Sequence, residues 1–271
     1  MIINFFLGIL ILFTPLLYAK KEIPMIGVIF DCDGTLVNSE GLHFLSWQEA
    51  FSKEGVIITE EQYYPFSGHS GIYVAQKLYQ GASIALATKI YLDKKRIYRG
   101  LCKQEIDPIE RTVSFVRQLA ERKQELGIKL AVASAAPKKE ILNHLKNLGL
   151  LSVFDEVVSG SDDLHAHYRD PEGINKPKPY IYLHAAKLLG LEPSQCIAFE
   201  DSHTGVISAA TAGLITFAVP NIYTQEHDFS RAMFVIDPST AIDMEDFFQK
   251  IEGLFVKKDP VLVEDLISFE K

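Results

Sequence analysis

Asp31-Cys32-Asp33-Gly34-Thr35 puts two carboxylates two residues apart, directly after the apolar run Met25 to Phe30. Ser134 ends a second apolar run, Lys176 lies in a polar loop, and Glu200 and Asp201 follow a further run, Cys196 to Phe199. Carboxylates brought to one place repel each other unless a cation sits between them. Oxygen ligands suit a hard ion, and Mg2+ takes one or two carboxylates together with waters and a substrate phosphate. Lys176 would add a second positive charge beside such a phosphate. Ser134 and the backbone amides near Ala135 would donate hydrogen bonds to its oxygens. Gly34 lets the chain turn tightly around the site. A carboxylate next to Mg2+ is able to act as nucleophile and form an aspartyl-phosphate.

These residues need a scaffold that brings them together. The runs Met25–Phe30, Lys129–Ser134, Phe154–Ser159, Cys196–Phe199 and Leu214–Val219 show no alternation, as expected of strands buried on both faces. Helical spacing separates them: Val113, Val116, Leu119, Ala120 and Leu126; then Ile141, Leu142, Leu145 and Leu148, closed by Gly149; then Tyr182, Ala185, Ala186 and Leu189, closed by Gly190. Alternating strands and helices predict an α/β fold with a Rossmann-like parallel sheet covered on both sides. Ligands of such sheets bind at the carboxyl ends of the strands, where Asp31, Asp33, Ser134, Glu200 and Asp201 are placed. Between Val37 and about Glu110 no buried strand is evident; helices are expected around 42–53, 72–79 and 84–98. The division that follows is a hydrophobic segment 1–24, a catalytic core 25–36 and 110–240, an inserted α-helical cap 37–109, and a C-terminal helix and tail 241–271. The two crossings near Val37 and Pro108 make a hinge for a lid.

The chain resembles the haloacid dehalogenase superfamily, in its phosphatase and β-phosphoglucomutase branch. Asp31-Cys-Asp33-Gly-Thr matches the signature D-x-D-G-T, and Ser134 falls where the second motif has its Ser or Thr. Lys176-Pro-Lys-Pro matches K-P-x-P, and Phe199-Glu-Asp-Ser-His-Thr-Gly205 resembles the acidic E-D-S-x-x-G motif. The resemblance implies that Asp31 attacks phosphorus, and that Asp33 protonates the leaving oxygen and later activates water. It implies a Mg2+ ion held by Asp31, Asp33 through its backbone carbonyl, and Asp201, with Glu200 a ligand or one water away. Ser134, Ala135, Lys176 and, on a lid helix, His43 would contact the substrate. The alternative for His43 is simple packing on Trp47. The dehalogenases of this superfamily lack the second aspartate, so Asp33 argues for a leaving group that needs a proton, such as an alkoxide. Hydrolysis of a small phosphomonoester, such as a sugar phosphate, is the expected activity. A sugar-phosphate mutase is the alternative; the mutases carry a lid arginine shortly after a Gly-x-Ser, whereas Gly68-His69-Ser70 is followed by Gly71, which weakens that reading while nearby Lys77 keeps it open. A non-catalytic binding module is the third reading, opposed by the intact acidic set.

The rest of the sequence narrows the setting. A net charge of -8, from 27 basic and 35 acidic residues, with no basic patch, speaks against nucleic acid as a partner. Cys32, Cys102 and Cys196 are widely spaced and make neither a disulfide framework nor a zinc motif. His165 and His167 lie in a charged stretch that reads as a solvated loop. Ile2 to Ala19 carries no charged residue and would span about 27 Å as a helix. It reads as a signal peptide ending at Ala19, as an anchor, or as sequence ahead of a true start at Met25. Export follows from the first, a cytoplasmic site from the other two, and membrane contact only from residues 1–24 if retained. A monomer is expected.

Overall fold

The computed structural model describes residues 25–102, 106–171, 173–252 and 254–255. The N-terminal segment 1–24 and the tail beyond residue 255 lie outside the described residues. Six parallel strands form one sheet: β1 (Ile26–Phe30), β2 (Ile128–Ser134), β3 (Glu156–Ser159), β4 (Cys196–Glu200), β5 (Ile215–Ala218) and β6 (Phe234–Val235), in the order β3-β2-β1-β4-β5-β6. This is a Rossmann-like α/β fold. The expected apolar runs became strands because both faces are covered: every residue of β1 is buried. Alternation sorts the strand side chains between two cores. Val28, Phe30, Leu130, Val132, Ile197 and Phe199 face one, and Ile29, Ala131, Ala133, Cys196 and Ala198 the other.

The first core is closed by α5 (Glu110–Arg122), α6 (Lys138–Asn147) and α9 (Met244–Ile251). Phe199 stacks between Phe30 at 4.9 Å and Phe217 at 5.1 Å, with Phe247 of α9 5.9 Å away. Each such ring, fully buried, contributes roughly 1.5–3 kcal/mol. The expected C-terminal helix, formed by Met244–Ile251, thus completes the core. The second core is closed by α7 (Tyr180–Leu189) and α8 (His203–Ala212). Gly190 ends α7 in the left-handed conformation, φ 69°.

Between β1 and α5 lie α1 (Glu40–Ser52), α2 (Glu60–Tyr63), α3 (Gly71–Leu78) and α4 (Ile84–Leu101). They enclose an apolar cluster of their own, with Phe44, Trp47, Phe51, Val74 and Ile90 at its centre. The segment that leads into this layer and the one that leaves it run side by side. Val37 bridges Pro108, Asn38 N–H donates to Asp107 O at 2.8 Å, and Ile109 N–H to Leu36 O at 2.9 Å. No helix among the described residues is long and apolar enough to cross a membrane.

Candidate active site

The carboxyl ends of β1, β2 and β4 open under the helical layer into a cavity of about 210 Å³, lined by residues of both. After Phe30 the chain continues the β1 alternation. Cys32 is buried with the first core, while Asp31 lines the cavity on the opposite side. Gly34, at φ 78°, turns the chain against the carboxylate of Asp201; a Cβ there would collide with Asp201 Oδ2.

Lys176 is buried, with Nζ 2.5 Å from Asp31 Oδ1 and 2.5 Å from Glu200 Oε1, and donates to Ala133 O at 3.2 Å. Burial alone would lower its pKa, but Asp31 and Glu200 outweigh that and hold it above the ordinary lysine value. Asp31 shares this one ammonium with Glu200. Burial, together with the charges of Glu200 and Asp33, pushes its carboxyl up to about 8 in spite of Lys176. Asp201 is pushed up in the same direction by burial and by the charges of Asp31 and Glu200. Asp31, Glu200 and Asp201 each offer a carboxylate oxygen within 4.8 Å of the others. Fully ionised, three carboxylates against one ammonium would leave two negative charges in a buried place, the excess that a divalent cation would neutralise.

The two motif carboxylates on β4 differ in their surroundings. Glu200 is fully buried: Oε1 accepts from Lys176 and from Tyr182 Oη at 2.5 Å, and Oε2 accepts from Ser202 Oγ at 3.2 Å. Its carboxylate lies against the backbone of Gly205, where no side chain fits. Asp201 accepts from Thr35 Oγ1 at 3.3 Å and Asn221 Nδ2 at 2.9 Å.

Asp33 sits in a ring of donors: Ser39 Oγ at 2.8 Å and Tyr98 Oη at 3.2 Å on Oδ1, and Ser134 Oγ at 3.3 Å on Oδ2. Burial would raise its pKa, yet His43, His144 and Ser39 together hold it below the usual carboxylate range. His43 Nε2 stands 3.8 Å from Asp33 Oδ1. Its ring stacks on Tyr98, with centroids 4.0 Å apart, rather than on Trp47. The ring of Trp47 is instead approached by Lys94, whose Nζ is 5.7 Å from its centroid and 2.6 Å from His43 Nδ1. Burial lowers the Lys94 pKa to about 8. Ser134 ends β2 and accepts from Ala136 N–H at 3.1 Å, and Ala135 lines the cavity beside it.

The structure therefore brings Asp31, Asp33, His43, Ser134, Ala135, Lys176 and Asp201 to one cavity, with Glu200 directly behind Lys176. Sequence reasoning passed over Ser39, Lys94, Tyr98, Tyr182 and Asn221. Lys94 and Tyr98 stand one helical turn apart on α4, an i, i+4 pair that marks a shared face. The others carried no signal in the pattern.

The family model of the haloacid dehalogenase-like hydrolases matches residues 28–219. A phosphorylated carbohydrates phosphatase of Thermotoga maritima is 29% identical over 195 residues, which cover 70% of this chain and 82% of that protein. The fructose-1-phosphate phosphatase of Escherichia coli is 26% identical over 189 residues, 69% of this chain and 93% of its own. Among solved structures, β-phosphoglucomutase from Clostridium difficile matches in fold with a TM-score of 0.63 at 22% identity, over 84% of this chain and 97% of that one.

Proposed function

Because this chain belongs to the haloacid dehalogenase-like hydrolases and has phosphatases among its relatives, it is a phosphoric monoester hydrolase, and we propose that it acts on small sugar phosphates through a phosphorylated Asp31. The observation that carries this reading is the cluster of Asp31, Glu200 and Asp201, the first two paired with one buried ammonium, with Ser134 and Ala135 at the next strand end. The residues fit a Mg2+ ion. Asp31, Asp201 and the backbone carbonyl of Asp33 would hold it, and Glu200, with both oxygens hydrogen-bonded, anchors Lys176 instead. When bound, the ion draws charge from the phosphate oxygens and keeps Asp31 ionised.

Asp31, which lines the cavity, attacks phosphorus through a carboxylate oxygen as the bond to the sugar oxygen breaks. Lys176, held protonated by Asp31 and Glu200, balances charge on the phosphoryl oxygens, and Ser134 donates to another of them. Asp33 gives a proton to the departing sugar oxygen. Its donors favour the ionised form, and the negative charge of an arriving phosphate pulls it back toward protonation. Once ionised again, Asp33 accepts a proton from the water that attacks the aspartyl-phosphate. The helices α1–α4 act as a cap over this chemistry, with His43 and Tyr98 shaping the space beside Asp33 and limiting water.

Hydrolysis is favoured over phosphate transfer between sugar hydroxyls by Gly71. The ring of Tyr91 lies directly against it, so a side chain at that position has no room. The test is release of inorganic phosphate from a panel of sugar phosphates in Mg2+ and in excess chelator. Mg2+ should restore what chelation abolishes, and Ca2+, which takes more ligands, should restore little. Activity unchanged in chelator, or a hexose 1-phosphate converted to its 6-phosphate without phosphate release, overturns the reading.

A further inference from the structure

Asn221 follows β5, 187 residues after Gly34 and 20 after Asp201. All four hydrogen-bonding positions of its side-chain amide bear on one loop or another. Oδ1 accepts from Tyr223 N–H at 2.8 Å and Thr224 N–H at 3.2 Å. Those two backbone donors fix which end of the amide is oxygen. Nδ2 must then face the other way, where it donates to Gly34 O at 3.0 Å and to Asp201 Oδ2 at 2.9 Å. One amide therefore ties the loop after Asp33 to the carboxylate at the end of β4.

The loop that carries Asn221 is itself held firmly. Asn221 N–H donates to Thr224 Oγ1 at 3.1 Å, and Thr224 is fully buried. The guanidinium of Arg111 on α5 donates to Pro220 O and, at 2.8 Å, to Asp237 O. Tyr223 stacks on Tyr64 of the helical layer, with centroids 4.8 Å apart. The amide is thus fixed before any ligand arrives.

We propose that Asn221 is a positioning residue for the divalent cation: by donating to Asp201 Oδ2 it turns the other oxygen of Asp201 toward the ion, and by holding Gly34 O it sets the loop that carries Asp33. The inference rests on the metal-dependent reading above. Without this amide, Asp201 keeps, among the described residues, the weaker 3.3 Å bond from Thr35 Oγ1 to hold its carboxylate. Partners that orient a ligating carboxylate typically govern 10–100-fold of metal affinity.

The experiment uses the full chain and measures Mg2+ binding by titration calorimetry without substrate, alongside the Mg2+ dependence of phosphate release. Asn221→Ala should raise the Mg2+ dissociation constant about tenfold or more, and the Mg2+ concentration needed for half-maximal phosphate release in step with it. Asn221→Ser keeps an oxygen able to accept in the same kind of turn. It preserves the loop if the alanine variant does not fold, and should weaken Mg2+ equally. Thr224→Val breaks the turn's Oγ1 bond but leaves the amide in place, and should bind Mg2+ like the parent. Parental Mg2+ affinity in a folded Asn221→Ser chain overturns the proposal. So does an equal loss in Thr224→Val, which would trace the effect to the loop. A parent chain that needs no Mg2+ at all would instead refute the reading on which the proposal rests.

Discussion

The Nζ of Lys176 stands 2.5 Å from Asp31 Oδ1 and 2.5 Å from Glu200 Oε1, so one buried ammonium joins the ends of the neighbouring strands β1 and β4. Replacing it with methionine keeps the volume and removes the charge. Asp31, Glu200 and Asp201 are then left without a neutralising group, a situation that costs about 3–5 kcal/mol when one partner of a buried pair is removed. Lys176→Met should therefore melt well below the parent in chelator, and Mg2+ should recover part of the loss. Turnover should fall by about 10²–10³, the usual cost of losing one group that stabilises developing charge. Equal melting in chelator and Mg2+ would show that the carboxylates do not share a cation site.

Asp31→Asn makes the opposite change in charge. The amide has the shape of the carboxylate but is no nucleophile, so neither phosphate release nor a phosphorylated protein should be detectable by intact-mass analysis. The variant should fold at least as well as the parent in chelator, because burial and neighbouring acids oppose ionisation at this position and Lys176 retains Glu200. Parental turnover in this variant would remove Asp31 from the mechanism.

The parts of this site that were legible in the sequence are those written as local patterns. Asp31, Asp33, Ser134 and Glu200-Asp201 each finish an apolar run, and a parallel sheet delivers such ends to one edge whatever lies between them. What was not legible depends on pairing across sequence distance. His43 and Lys94 are 51 residues apart, and nothing local announces that their side chains meet at 2.6 Å. Tyr182 reads as one more residue of the apolar face of α7, yet its hydroxyl fills an oxygen of Glu200. Helix α8 is rich in Ala, Thr, Ser and Gly, so it has no amphipathic stripe to detect although it packs closely on β4 and β5. Strand β6 spans only Phe234–Val235, too short for any periodic signal.

A chain beginning at Met25 is expected to fold and to keep its metal-dependent activity. Strand β1 needs only its neighbours: it pairs with β2 and β4 along its length, and Ile26 N–H donates to Gly127 O at 3.1 Å. Among the described residues, none that lines the cavity precedes Asp31. Removing Met1 to Pro24 also removes a long apolar sequence, which should reduce association in solution. Loss of folding or of activity in this shortened chain, with both retained by the full chain, would place residues 1–24 within the fold.

Lys94 tests the balance between stability and function. It is only 7% exposed, and its Nζ has His43 Nδ1 at 2.6 Å and the Tyr98 ring centroid at 4.6 Å, with no carboxylate among the described residues in an ion pair with it. Burial lowers its pKa from 10.5 to about 8, although Glu40 and Asp33 pull it upward. Between about 8 and 10.5 the unfolded chain thus holds a proton that the folded chain does not, so stability contributed by this group rises with pH across that window. Below about pH 8 the full penalty is present, on the order of 3 kcal/mol by the usual conversion of pKa shift to free energy. Lys94→Met should accordingly be at least as stable as the parent at pH 7, with the difference shrinking toward pH 10. The lost His43 bond and ring contacts offset part of the gain. Function should move the other way. Lys94 lines the cavity and donates to His43 Nδ1, which leaves the Nε2 hydrogen facing Asp33. The variant should lose about tenfold in kcat/KM toward a sugar phosphate, about 1.4 kcal/mol. The parent's kcat/KM is expected to fall above about pH 8 as Lys94 loses its proton, and this fall should be absent from the variant. A variant that is less stable at pH 7 and keeps the parental pH profile would show that Lys94 is a packing residue with no part in the substrate site.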